Sequence, residues 1–301
     1  MTDWNEVSGC AIHRIFKIYP VHVVTWGIAM ILGFVNFSNL DIWLPNLFLV
    51  HSWFSQMSVF VSVNPPSWSL CSELLFYALF PLLLKPVLNI KTQHLWMSFF
   101  LSFIGLIAYQ FFVDDFVPAI PKLELWPLSE NQWWLSYNYP PGRLFEFIIG
   151  MILSRIAIEG LWKNASVKIA IIAAVIGYML ALYAPFQYGL NVTTIISIAV
   201  IILILTKMDL SGEKNFLSSN VMILLGEISF AFYMVHYLVL VFIKKHFIHS
   251  SLDFISSMVM LLISLMVSIL LAWLIYVFVE KPVMKFAKQK ITNNKPLLGD
   301  M

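Results

Sequence analysis

A single carboxylate, Glu73, lies in an otherwise apolar part of the segment 64–81, which reads NPPSWSLCSELLFYALFP. The two prolines rule out a continuing helix, and Ser67 or Ser69 can cap a new one after them. An acid inside a membrane helix costs about 2.5–3.5 kcal/mol on insertion scales, so it usually faces a bundle interior or a wet cavity. At helical spacing Ser69, Glu73 and Tyr77 share one face, which predicts a polar cavity beside this helix.

A simpler interpretation is that Glu73 only places a negative charge near a helix N-terminus, where the macrodipole favours it. A capping box would need Ser or Thr three residues before the acid, and residue 70 is leucine. The cavity interpretation is therefore favoured.

Two pairs of charged residues also stand beside apolar runs. Arg14 and Lys17 lie three residues apart before the first run, where cations also serve to orient a membrane span. Arg143 opens another helix and opposes its macrodipole, which requires an anion such as Glu146 to compensate it. Gly150, four residues further on, is expected to allow a close helix approach.

A later apolar run aligns Ser229, Tyr233 and His236 on one helical face. A lone histidine in a membrane helix is often only hydrogen-bonded to a neighbour. The stripe of three polar residues leaves open a role in or next to a site.

The composition predicts an all-α, polytopic transmembrane helix bundle. Hydrophobic residues make up 60% and charged residues 11% of the 301 residues, against roughly 25% charged in an average soluble protein. A net charge of +2 with lysines in loops gives no reason to expect a nucleic-acid partner.

Cys10 and Cys71 are interpreted as free thiols without metal-ligand spacing. No signal peptide is recognised, so the first span is expected to direct insertion.

Eight apolar runs are long enough to span a membrane, and residues 1–301 are expected to form one membrane domain. They are 18–38, 69–84, 94–113, 143–159, 167–184, 188–206, 221–243 and 254–279. A ninth run, 42–62, carries polar residues and is either a span or a re-entrant hairpin.

Basic residues favour the eight-span arrangement, with both termini cytoplasmic in an inner (plasma) membrane. If 42–62 does not cross, one side of the membrane holds Arg14, Lys17, Lys85, Lys91, Lys163, Lys168, Lys207, Lys214 and the lysines from Lys281 to Lys295. The acidic segment 114–140 then lies outside. Only Lys244 and Lys245 break the pattern.

The segment around Glu73 resembles the WSLSxExxFYxxFP signature of the acyltransferase 3 family, membrane enzymes that O-acylate sugars. The matching positions are Trp68, Ser69, Leu70, Glu73, Phe76, Tyr77, Phe80 and Pro81, whereas Cys71 departs from the pattern. Three more elements are similar to family motifs in the same order: RRxxRIYP at residues 13–20, RxxEFxxG at 143–150 and LGxISYxLYLxH at 225–236. In the first of them Arg14 and Lys17 take basic positions, and lysine at the last one departs from the family pattern. The closing Glu280-Lys281-Pro282 also matches and is interpreted as a structural helix stop.

The resemblance implies transfer of an acyl group from acyl-CoA to a hydroxyl of a carbohydrate or lipid-linked glycan, with no bound cofactor. It implies catalytic roles for Glu73, His236 and Arg143. It also implies substrate-binding roles for Arg14, Lys17, Trp68, Ser69, Tyr77, Glu146 and Tyr233, the two cations acting on the donor.

Family members normally carry two further spans before the RRxxRIYP element, the first with an arginine and a histidine that is the proposed base. Neither His13 nor His22 matches that motif. A chain without those spans is expected to insert in membranes without transferring acyl groups. The alternatives are therefore an inactive paralogue or a transporter of a lipid-linked glycan, although no inverted repeat supports transport.

Overall fold

The computed structural model describes residues 4–163, 166–212, 216–248 and 251–293, with side chains from residue 13 to residue 289 within those ranges. Helices form most of this part of the chain and no strand occurs in it, which confirms the all-α prediction. The α-helices are α1 Trp4–Ile31, α2 Leu40–Leu47, α3 Met57–Phe60, α4 Trp68–Leu88, α5 Leu95–Phe116, α6 Glu130–Trp133, α7 Leu144–Ile158, α8 Val167–Tyr183, α9 Phe186–Gly189, α10 Val192–Leu210, α11 Asn220–Phe247, α12 Phe254–Ile275 and α13 Lys281–Asn293.

Every predicted span contains a long helix, but the first predicted boundary is wrong. Helix α1 begins at Trp4, runs through Pro20 and ends at Ile31 instead of covering 18–38. It ends there because Gly33 adopts a left-handed φ of 72°. The Phe34 amide then donates to the Ala29 carbonyl at 3.1 Å, a Schellman-type closure.

The run 42–62 does not form a membrane-spanning helix. It contains the end of α2, a 3₁₀ turn at His51–Trp53 and the single turn of α3. Leu49 and Val63 have positive φ values of 55° and 59°, a left-handed backbone conformation through which no α-helix continues. The hairpin alternative therefore fits the short helices of this segment better than a span does, and its position in the membrane stays a prediction.

Pro282 does not stop the last helix, contrary to the sequence-based interpretation. A π-helical turn, Tyr276–Glu280, joins α12 to α13, and Pro282 is the second residue of α13. Proline is tolerated in a first helical turn because its missing amide hydrogen has no partner to lose there.

The helices group into two compact units. The first draws on segments 1–51, 61–70 and 215–301, as far as they are described, and the second on 52–60 and 71–214. In the first, α1 packs on α11 and α13, and α11 packs on α12. In the second, α5 packs on α7, and α10 on both α7 and α8. That 1–301 behaves as a single domain stays a prediction.

Long apolar helices with apolar outer surfaces identify a multi-pass membrane protein. In the described residues, five are long and apolar enough to cross a membrane: 65–88, 92–116, 186–210, 220–247 and 254–289. Helix α8 is apolar but shorter. It exposes Ile171, Ile172, Val175 and Ile176, each by more than half. Water would oppose that exposure, whereas lipid favours it.

Arg155 holds the C-terminal end of α4, a role that the sequence analysis did not identify. Its Nη1 donates to the carbonyls of Val87, Leu88 and Ile90 at 2.9, 3.0 and 2.6 Å. Its Nη2 pairs with Glu159 on the following turn. The guanidinium thus supplies the donors that the last helical carbonyls lack.

We expect Arg155→Met to lower the thermal stability of the purified protein in detergent, because the side chain keeps its length but leaves three carbonyls without a donor. Hydrogen bonds to a charged group contribute about 1.5–3 kcal/mol each, and partial exposure here places the expected loss near the lower figure. Arg14→Met, at an exposed arginine, is the matched control. Equal melting temperatures for the two variants would contradict the capping role.

Reporter fusions test the topology. A fusion near residue 125, inside the acidic segment, should report a location outside the cytoplasm because nearly all basic loops lie on the other side. A fusion near residue 90 should report the cytoplasm. A cytoplasmic signal at residue 125 would contradict the eight-span arrangement. Lys214 and Lys295, which contributed to it, lie outside the described residues.

Candidate active site

Two side-chain hydrogen bonds connect the start of α4 to α11. Asn64 Nδ2 donates to the Met234 carbonyl at 2.8 Å, and the Tyr233 hydroxyl donates to the Pro66 carbonyl at 2.9 Å. Ser69 Oγ donates to the same Pro66 carbonyl at 3.2 Å. Two predicted substrate-binding residues, Ser69 and Tyr233, therefore meet at one backbone oxygen, which fixes both side chains.

The expected serine cap of α4 does not form. Ser67 Oγ donates to the Asn64 carbonyl at 2.7 Å, and neither Ser67 nor Ser69 accepts a bond from a helix amide in the described chain. A 3₁₀ turn that begins with two prolines leads into the helix. Those prolines carry no amide hydrogen, so fewer donors at this end need a cap.

A fully buried polar network surrounds Asn46 in the first unit. His22 Nε2 lies 3.0 Å from the Asn46 carbonyl. Asn46 Nδ2 donates to the Ser62 carbonyl at 2.8 Å and to Ser67 Oγ at 3.1 Å. Ser67 Oγ lies 3.2 Å from His51 Nε2. The network joins α1, the irregular hairpin and the turn before α4.

His51 belongs to this network as a neutral group. Burial, with a smaller contribution from nearby His22, lowers the pKa of His51 to about 3. The imidazole is therefore uncharged at physiological pH and too weak a base to activate a hydroxyl. It serves as a hydrogen-bonding partner, and the sequence analysis did not select it as a site residue.

Glu73 and Tyr77 form the predicted pair on α4. The Tyr77 hydroxyl donates to Glu73 Oε2 at 2.7 Å, and both side chains are half-buried. Both residues lie within α4, which continues past Pro81 and Pro86 to Leu88. The four-residue spacing therefore places Glu73 and Tyr77 on one face of a regular helix. One carboxylate oxygen is thereby positioned by a phenol hydroxyl.

Arg143 and Glu146 form the predicted ion pair. Arg143 Nη2 lies 2.7 Å from Glu146 Oε2, and the side chains are 15% and 20% exposed. The guanidinium carbon lies 5.2 Å from the Tyr137 ring centroid, a cation–π distance. The pair lines a groove of about 220 Å³ that also includes Asn191 and Thr194. A carboxylate and an aromatic face hold this cation at the start of α7.

Gly150 does not permit a close helix contact, so that expectation is wrong. A Cβ built at Gly150 has nothing within 4 Å among the described residues. Close approach occurs at Gly142, where a Cβ would lie 2.6 Å from the Tyr109 hydroxyl. The two glycines therefore have opposite roles, Gly142 admitting a protein side chain and Gly150 leaving open space in the groove.

The basic residues of α1 differ in their surroundings. Lys17 Nζ lies 3.7 Å from Glu280 Oε1, whereas Arg14 is exposed. Glu280 is only 4% exposed and lies in the π-helical turn before α13. Glu280 of the closing element therefore contacts Lys17, and Arg14 is the more accessible of the two cations for an external anion.

The surroundings of His236 assign its tautomer. Its Nδ1 lies 2.7 Å from the Tyr233 carbonyl, which only accepts hydrogen bonds. The neutral ring therefore carries its proton on Nδ1 and a lone pair on Nε2, the arrangement of a base. Ser229, expected on the same stripe, is exposed and donates to the Gly226 carbonyl at 2.8 Å.

Two groups of predicted site residues result, each within one unit. The first contains Ser69 and Tyr233, which both donate to the Pro66 carbonyl. Half-buried Trp68 precedes Ser69 in the chain, and His236 lies one helical turn after Tyr233 on α11. The second contains the Glu73–Tyr77 and Arg143–Glu146 pairs. The side chain of Cys10 lies outside the described residues, and Cys71 is a buried free thiol.

Long apolar helices that carry partly buried ion pairs define a polytopic membrane protein with polar side chains inside each unit. The chain belongs to the acyltransferase 3 family. The family model described as an acyltransferase domain matches residues 1–277.

A curated relative supports the same assignment. The chain is 31% identical over 248 residues to the acyltransferase MdmB of Streptomyces mycarofaciens. The alignment covers 79% of this chain and 63% of the relative, so the chain spans less than two thirds of that protein. No solved structure matches.

We expect Tyr233→Phe to lower the stability of the purified protein by about 1 kcal/mol, the typical net contribution of one hydrogen bond. The variant removes only the hydroxyl that donates to Pro66. Tyr237→Phe removes the hydroxyl of another half-buried tyrosine on the same helix and should have no effect. Equal melting curves for the two variants would show that the Tyr233 bond does not stabilise the start of α4.

Proposed function

We propose that the complete protein transfers an acetyl or similar acyl group from a cytoplasmic acyl-CoA to a hydroxyl of an envelope or exported carbohydrate. The observation that carries the proposal is the Glu73–Tyr77 pair, a positioned carboxylate in an apolar helix at the centre of the family signature. Since an acid at such a position is costly, it indicates a functional cavity more readily than a packing role.

The reaction is a direct acyl transfer. The acceptor oxygen attacks the thioester carbonyl carbon, the C–S bond breaks, and the hydroxyl proton passes through a base to the departing thiolate. A neutral hydroxyl is a weak nucleophile until a positioned base takes its proton. The oxyanion that forms at the carbonyl needs a cation or hydrogen-bond donors beside it.

The surroundings of three residues suit these tasks. Glu73, with one oxygen bonded to Tyr77, orients or deprotonates a hydroxyl. Arg143 offers a held cation for the oxyanion. His236 carries its lone pair on Nε2 and is proposed to accept or relay the proton. Each of these roles is inferred from the contacts of that residue, and not from contacts among the three residues.

Donor binding is assigned to the cations of α1. Exposed Arg14 matches phosphate geometry bidentately, while Lys17 acts as a point charge whose attraction is reduced by Glu280. Positive residues beside the first span favour the cytoplasmic face, where acyl-CoA is available. The bilayer, acyl-CoA and a carbohydrate or lipid-linked glycan are therefore the proposed partners.

Glu73→Gln should reduce transfer by about 10²–10⁴-fold while leaving the amount of protein in the membrane nearly unchanged. Glutamine keeps the size of the side chain and can still accept the Tyr77 hydroxyl bond, but it cannot take a proton. The measurement is incorporation of label from acetyl-CoA into glycan by membranes containing the complete protein.

Glu124→Gln, in the acidic segment at an exposed position, is the matched control and should retain activity. Loss of folded protein together with activity in Glu73→Gln would return Glu73 to a structural role. Unchanged labelling in that variant would remove the residue from the mechanism.

A further inference from the structure

The groove beside Arg143 and Glu146 combines a polar end with an apolar length. Its polar end contains Arg143, Glu146, Asn191 and Thr194, and the remainder is lined by aliphatic side chains of α7 and α10 around the open space at Gly150. Its volume of about 220 Å³ is equivalent to about seven water-sized groups. One polar group and a short hydrocarbon segment would fill it.

Asn191 is held in a fixed orientation at the polar end. Its Oδ1 accepts a hydrogen bond from Gln110 Nε2 at 3.3 Å, and Gln110 also donates to the Ser136 carbonyl at 3.1 Å. Asn191 is 5% exposed and Gln110 is fully buried. Because Oδ1 is engaged on one side, the amide nitrogen Nδ2 points away from Gln110 with both of its hydrogens.

Two polar atoms at this end have no hydrogen-bond partner in the described chain. Asn191 Nδ2 is a donor without an acceptor, and Glu146 Oε1 is an acceptor without a donor. The Asn191 side chain lies near enough to Glu146 to act on its carboxylate as a hydrogen-bond donor, but no bond of normal length and angle joins the two residues. Leaving such buried groups unpaired costs about 1–3 kcal/mol each, so a bound group that satisfies both is expected.

The chemistry of the two atoms identifies the class of ligand. A carbonyl or ether oxygen can accept from Asn191 but has no hydrogen for Glu146. A hydroxyl both accepts and donates, and so it pairs with both atoms at once. The aliphatic walls next to it require an apolar body on the same molecule.

We propose that this groove binds the hydroxyl of an amphiphilic acceptor, with the adjoining hydrocarbon lying along α7 and α10. The inference rests on the proposed function in taking this hydroxyl to be that of the acceptor. It adds that the acceptor carries an apolar segment beside the hydroxyl, as a lipid-linked glycan or an alkyl glycoside does and a free sugar does not.

Photolabelling of the complete protein in nanodiscs tests the inference without an activity measurement. The probe is an eight-carbon primary alcohol with an aliphatic diazirine, and the matched probe is its methyl ether, which accepts but cannot donate. Mass spectrometry should find the alcohol on residues 149–153 and 195–202 about tenfold or more above the ether, since a bond to a charged group is lost.

Two variants define the site. Gly150→Leu should reduce groove labelling by the alcohol at least about fivefold, because its side chain begins in open space, with nothing within 4 Å of the added Cβ, and occupies part of the groove. Gly27→Leu, at a helical glycine of α1 that also has nothing within 4 Å, should leave labelling unchanged. Asn191→Leu should abolish the preference for the alcohol over the ether.

Equal labelling by alcohol and ether in the wild type would overturn the proposal, leaving an ordinary lipid-facing cleft or a water molecule between Asn191 and Glu146. Unchanged labelling in Gly150→Leu would overturn it as well. In the same preparation, octyl glucoside and glucose are offered as acceptors with labelled acetyl-CoA. Absence of transfer to any acceptor would contradict the proposed function, while the labelling result decides the groove independently.

Discussion

The first unit depends on supplying hydrogen bonds to the irregular segment between α1 and α4. Such a segment has few backbone partners of its own, and the low-dielectric interior makes each unpaired group expensive. Side chains from neighbouring helices satisfy it: Tyr19 donates to the Leu47 carbonyl, and His22 contacts that of Asn46. Asn46 then connects both arms of the hairpin. The position of the α4 N-terminus follows from these contacts.

The second unit uses the same solution with different residues. Its irregular segment 117–143 receives bonds from Tyr109 to the Leu135 carbonyl and from Gln110 to the Ser136 carbonyl. Arg155 does the same for the end of α4. In both units, polar side chains of the long helices thus donate hydrogen bonds to carbonyl oxygens of the irregular segments. Several buried polar atoms keep unused hydrogen-bonding capacity in the described chain, among them Asn191 Nδ2 and Glu146 Oε1.

The long helices, the Glu73–Tyr77 pair and the Arg143–Glu146 pair could be predicted from sequence because each rests on local periodicity or on a spacing of three or four residues. The partners of Asn64, Asn46 and Arg155 could not, since they lie 16 or more residues away and amides and arginines carry no pattern that names a distant carbonyl. The Pro282 error had another cause. The π-helical turn before α13 places Pro282 in the first turn of a new helix, where its missing amide hydrogen breaks no helical hydrogen bond.

The Asn64–Met234 bond joins residues separated by 170 positions. At a synthesis rate of about 5–20 residues per second, roughly 10–30 s pass between translation of the two. During that interval the turn before α4 lacks the carbonyl to which it is finally bonded, although α1 and the hairpin have already been made. The bond can therefore form only after α11 has been synthesised, and until then the Asn64 amide must be satisfied by another hydrogen-bond partner.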